Sequence, residues 1–80
     1  MTDRMTLDRV ENTTKVRVVE IHGGWGVRNR LNRMGIHPGD LVLVKRSGIM
    51  SGPILIQVHG MDVALGRGLA GKVIVSEITE

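Results

Sequence analysis

The chain has 80 residues, 41% of them apolar and 24% charged, with a formal net charge of +3; this is one small domain, spanning 1–80, with the balance of a folded chain rather than a disordered one. There is no cysteine, which excludes disulfide staples, thiol chemistry and thiolate zinc sites. No apolar run approaches the length of a membrane span, and Met1 to Glu11 lack the apolar stretch of a signal peptide, so the expected location is cytoplasmic.

Val and Ile supply 18 of the 33 apolar residues, and eleven glycines punctuate the chain. β-branched side chains suit a pleated surface and glycines suit tight turns, so the composition reads as mainly β. In chain order, Thr6 to Val10 predicts one helical turn capped by Thr6, with Leu7 and Val10 on one face. Lys15 to Ile21 predicts a strand, with Val16 and Val18 on one face and Arg17, Val19 and Ile21 on the other. Gly23-Gly24-Trp25-Gly26 reads as a loop. After it, Val27, Leu31 and Met34 recur at helical spacing, flanked by Arg28 and Arg30, while Asn29, Asn32 and Arg33 turn to water. Gly35 is placed to take a left-handed conformation and Ile36 to fold back on Leu31, the pattern of a Schellman cap, and Pro38 blocks continuation. Asp40 to Arg46 predicts a second strand, Ser47 to Gly52 a loop, and Ile54 to His59 a third strand starting after Pro53. Gly60-Met61 reads as a hairpin turn, Asp62 to Leu65 as its return strand, Gly66 to Gly71 as a turn or single helical turn, and Lys72 to Ile78 as the last strand. The expected class is therefore all-β: a small closed barrel of about five strands with one short helical insert.

The charge is uneven. Residues 26–50 carry Arg28, Arg30, Arg33, Lys45 and Arg46 against Asp40 alone, whereas 1–25 balance and 51–80 are slightly acidic. A basic patch meets phosphate, acidic protein or an anionic membrane face, and charge does not choose among them. The letters of Gly66-Arg67-Gly68-Leu69-Ala70-Gly71 match a dinucleotide-binding glycine motif, but that motif needs a long helix and a second strand, and only nine residues remain after Gly71. Gly23 to Gly26 ahead of a helix could cradle an anion, though no Lys-Ser or Lys-Thr comes next as in a phosphate loop. Glu20 and His22 lie on one strand face and could share an ion; His37 and His59 complete the imidazoles, with no spacing that identifies a metal site or its ligands. No nucleophile, base and orienting group assemble, so no catalytic residue and no cofactor are expected. Nucleic-acid binding is the rival reading, opposed by the single aromatic available for stacking.

The run Gly23-Gly24-Trp25-Gly26-Val27-Arg28-Asn29-Arg30-Leu31-Asn32-Arg33-Met34-Gly35-Ile36-His37-Pro38-Gly39 resembles the signature of the ferrous-iron transport protein A (FeoA) family: a glycine loop, an arginine-leucine helix, then Gly-hydrophobic-x-Pro-Gly. Thr6-Leu7, Gly52-Pro53-Ile54 and Val63-Ala64-Leu65-Gly66-Arg67 with Ala70 extend the resemblance over about residues 6–78. Gly68 and Gly71 depart from it, standing where relatives carry better helix formers. The resemblance implies an SH3-like β-barrel with a helical insert, a fold shared with the C-terminal domain of metal-dependent repressors. It also implies a small cytoplasmic accessory of bacterial ferrous-iron uptake acting on the cytosolic, GTP-binding part of the FeoB permease, touching the membrane only through that partner. The expected partner surface comprises Trp25 as apolar anchor, Arg28, Arg30 and Arg33 as contacts to acidic groups, and Gly24 and Gly26 beside the tryptophan. Nucleic-acid binding and a ferrous-iron or transition-metal regulatory role are the alternatives.

Overall fold

β-branched residues in short runs separated by Gly and Pro form six strands in the computed structural model, which describes residues 4–46 and 52–78. These are β1 Arg4–Thr6, β2 Thr14–Ile21, β3 Leu41–Arg46, β4 Ile54–Val58, β5 Met61–Leu65 and β6 Val73–Glu77. A 3₁₀ turn, Leu7–Arg9, comes directly after β1; the helix α1, Trp25–Arg33, joins β2 to β3; and a single helical turn α2, Arg67–Ala70, joins β5 to β6. All pairings are antiparallel, in the order β1-β6-β2-β3-β4-β5. The expected loop Ser47 to Gly52 falls, except for Gly52, outside the described residues.

The mainly β reading holds, with two corrections. A sixth strand, β1, precedes the first predicted element; three residues are too few to show a period. The sheet also does not close: β1 pairs only with β6, and β5 only with β4. Both edge strands run straight into helical turns, β1 into the 3₁₀ turn and β5 into α2, and those two turns pack together. Arg67 Nη1 donates to the Asp8 carbonyl across that junction at 3.4 Å. Thr6 stands at the start of the 3₁₀ turn as expected, but its side chain makes no capping hydrogen bond.

One face of the curled sheet is buried. Leu7, Val10, Val16, Val18, Ile21, Leu31, Ile36, Val42, Val44, Ile54, Ile56, Val58, Leu65, Ala70, Val73 and Val75 form the core. Ile21 joins Val16 and Val18 there, against the simple alternation, because the β2–β6 register shifts between Val18 and Glu20. The extra residue, Val19, reverses the parity of the residues after it. A second shift, between Val44 and Arg46 in the β3–β4 ladder, leaves Lys45 outside, where its ammonium holds Asp62 at 3.2 Å.

The hairpin turn is one residue earlier than expected. Val58 pairs with Met61, so His59-Gly60 is the two-residue turn, and both have positive φ, 52° and 76°. A two-residue connection with left-handed backbone at both positions matches the right-handed twist of the strands, which Gly60-Met61 would not.

Candidate functional site

The helix carrying the expected site is longer at its start than its apolar period shows. Gly24 is its N-cap, and Trp25 and Gly26 form its first turn rather than a loop. Amides of the first turn have no partner inside a helix, so a glycine there costs less than one further in. The first helical hydrogen bond runs from the Arg28 N–H to the Gly24 carbonyl at 3.2 Å. Leu31 is buried, and Val27 and Met34 pack against the core from either side of it. The end is the predicted Schellman cap. The Ile36 N–H donates to the Leu31 carbonyl and the Gly35 N–H to that of Asn32, both at 3.0 Å, with Gly35 at φ 84° and Ile36 buried.

This anchoring fixes what the helix shows to solvent. Trp25 is 79% exposed, and Arg28, Arg30 and Arg33 are exposed. At about 100° per residue, Arg28, Asn32 and Arg33 lie within roughly 80° of Trp25 around the axis, while Arg30 sits about 140° away on the other flank. Trp25, Arg28, Asn32 and Arg33 therefore share one face. Arg28 and Asn32 border a cleft of about 360 Å³ whose remaining walls are Glu20, Ile21 and Pro38. Among the described residues no carboxylate pairs with Arg28, Arg30 or Arg33. Side chains added at Gly24 or Gly26 would meet nothing within 4 Å, so packing inside this molecule does not require glycine at either position. Bare backbone thus flanks the tryptophan.

Glu20 and His22 come together as expected, with Nε2 2.7 Å from Oε2, but the other carboxylate oxygen faces Arg4 at 3.5 Å. Both oxygens are thus engaged. Among the described residues no three His, Asp or Glu side chains are grouped so as to hold a metal ion.

A cluster not foreseen from the sequence lies at Asp40. The turn His37-Pro38-Gly39-Asp40 closes with the Asp40 N–H on the His37 carbonyl at 3.0 Å. The Asp40 carboxylate accepts from the His37 N–H at 2.8 Å and from His37 Nδ1 at 3.1 Å, and its other oxygen is 3.3 Å from His59 Nε2 at the hairpin tip. Burial works to raise the Asp40 pKa, but the hydrogen bonds from His37 and His59 outweigh it and hold the carboxyl below its ordinary value. Pro38-Gly39 signals the turn in the sequence; nothing signals that His59, 19 positions on, meets it.

These features define a small, mainly antiparallel β domain of the SH3-like kind, with an exposed helix inserted between β2 and β3. Residues 5–77 match the FeoA domain, and the chain belongs to the FeoA family. A protein assigned as Fe(2+) transport protein A of Methanocaldococcus jannaschii (strain ATCC 43067 / DSM 2661 / JAL-1 / JCM 10045 / NBRC 100440) is 40% identical over 63 residues, 79% of this chain and 74% of that one. The crystal structure of an iron uptake regulatory protein (FeoA) superimposes with a TM-score of 0.88 at 38% identity, over 95% of this chain and 99% of the other. A manganese-dependent transcriptional repressor shares the fold alone, with a TM-score of 0.88 at 16% identity, over 98% of this chain and 44% of the repressor. The same fold thus also occurs within a longer chain.

Proposed function

We propose that this chain is a cytoplasmic accessory protein of ferrous-iron uptake that binds the cytosolic, GTP-binding part of an FeoB-type permease and modulates transport without catalysis of its own. Membership of the FeoA family and the likeness to proteins of Fe(2+) transport support the process. The observation that carries the mode of action is Trp25, the only aromatic residue of the chain, 79% exposed on a helix whose arginines lack acidic partners among the described residues. A large apolar side chain kept in water beside unpaired guanidinium groups suits a partner with a hydrophobic pocket rimmed by carboxylates. Trp25 fills the pocket, Arg28 and Arg33 make forked contacts beside it, Arg30 steers from the other flank, and Gly24 and Gly26 let the partner approach the backbone.

The test is titration of the ¹⁵N-labelled chain with the cognate permease in lipid nanodiscs, with and without a GTP analogue. Perturbed signals should cluster on residues 23–33, the Trp25 indole among them. Trp25→Ala should weaken binding by about 30-fold, and Arg30→Ala by less, with the fold unchanged. Unaltered affinity of both variants would place the contact elsewhere.

A further inference from the structure

We infer that the outer face of the sheet, away from α1, carries a second docking surface, for an acidic polypeptide segment with aliphatic side chains. The register of β2 against β3 sets Lys15 directly opposite Leu43 and Arg17 directly opposite Leu41. Because Val16 and Val42 between them point into the core, these four side chains project outward together. Two cations on one strand thus lie beside two leucines on the next. Leu41 is 51% exposed, and Leu43 is half-buried. Both leucines border a shallow cleft of about 190 Å³, completed by Lys15, Val42 between them, Gln57 and the His59-Gly60 turn.

Charge decides the occupant. Of the nearby carboxylates, Asp62 is engaged by Lys45 and Asp40 by His37 and His59, while Glu77 on β6 stands opposite Val16, whose side chain points inward, and is paired with neither Lys15 nor Arg17. Among the described residues Lys15 and Arg17 have no acidic partner. Arg17 Nη1 donates to the Gly39 carbonyl at 3.1 Å, which holds the guanidinium in place without neutralising it. A second copy of this face would bring like charges together, so self-pairing is disfavoured. A single-stranded nucleic acid would find phosphate contacts but no ring to stack on, since the one aromatic residue lies on α1. Carboxylates facing Lys15 and Arg17, with an aliphatic side chain over Leu41 and Leu43, satisfy both halves of the surface. This surface is separate from the helix face proposed for the permease, and neither reading depends on the other.

The test is a ¹⁵N titration of the full chain with a capped Glu-Leu-Glu-Glu-Leu-Glu peptide, with the Gln-for-Glu peptide as control. Shifts should centre on Lys15 to Arg17, Leu41 to Leu43 and Gln57, and should fade as salt is added. The double variant Lys15→Gln/Arg17→Gln should bind about fivefold more weakly, and Leu41→Ser should weaken binding likewise, both with native signal dispersion. Equal binding of the Gln peptide, shifts centred on α1, no shifts, or tighter binding of an oligouridine RNA or of anionic phosphatidylserine vesicles to the same face would each overturn the proposal. Shifts on α1 alone would leave the permease reading standing.

Discussion

Asp40 ties the turn after α1 to the β4–β5 hairpin through one carboxylate, which is only 18% exposed. Because its pKa is lowered in the folded chain, the ionised group stabilises the fold at neutral pH, and that contribution disappears as the pH falls through the lowered value. Asp40→Asn should therefore destabilise the protein at neutral pH, since an amide N–H would face the donors that now meet an oxygen. The gap between the two proteins should close in acid, below the ordinary carboxylate value of 3.8. Urea midpoints of both proteins, tracked from neutral pH into strong acid, check this; a gap that does not change with pH would show that the charge of Asp40 is not what stabilises the turn.

At the scale of the element, α1 owes its position to Leu31 and to its C-terminal cap rather than to its start, where no side chain caps the helix and no acidic residue sits in the first turn. Leu31→Ala should cost on the order of 2–5 kcal/mol, because that side chain is fully buried. Gly35→Ala should cost about 1–2 kcal/mol for a different reason: φ is 84°, a conformation L-residues resist, while the added methyl would meet only His59 Cδ2 at an ordinary 3.5 Å. Denaturant unfolding measures both losses, and replacing Gly35 by D-alanine, which accepts positive φ, should restore most of the second while nothing of that kind restores the first. The helix period is legible because Val27, Leu31 and Met34 repeat along it. The first turn is not, because Trp25 and Gly26 are neither packed inside nor strong helix formers.

For the molecule as a whole, the order β1-β6-β2-β3-β4-β5 places β6, β2, β3 and β4 between two neighbours and leaves β1 and β5 with one each. Amide hydrogen exchange should accordingly be slowest for the inward-facing residues of β2 and β6, Val16, Val18, Val73 and Val75, and faster along β1 and β5. Slow exchange along β1 and β5 would instead require that their open sides be covered. The surface thus carries α1 and its cleft in one place and the outer faces of β2 and β3 in another, each setting apolar side chains beside cations.

Local rules sufficed for much of this protein. β-branched runs, glycine punctuation and the Leu31–Gly35–Ile36 cap determined β2 to β6, the helix from Val27 onward and its stop, because each depends on residues within a few positions of one another. The signature from Gly23 to Gly39, together with the stretches on either side, was enough to mark the family. The tertiary structure decided whatever depends on partners distant in sequence. The bulge at Val19 turns Ile21 inward only because β6 lies alongside; the 3₁₀ turn and α2, which adjoin the two edge strands, meet only in the folded chain; and His59 meets Asp40 only after the hairpin folds back. The side-by-side cations and leucines of β2 and β3 belong to the same class. Alternation assigns each to a face of its own strand, but only the register between the strands makes them neighbours.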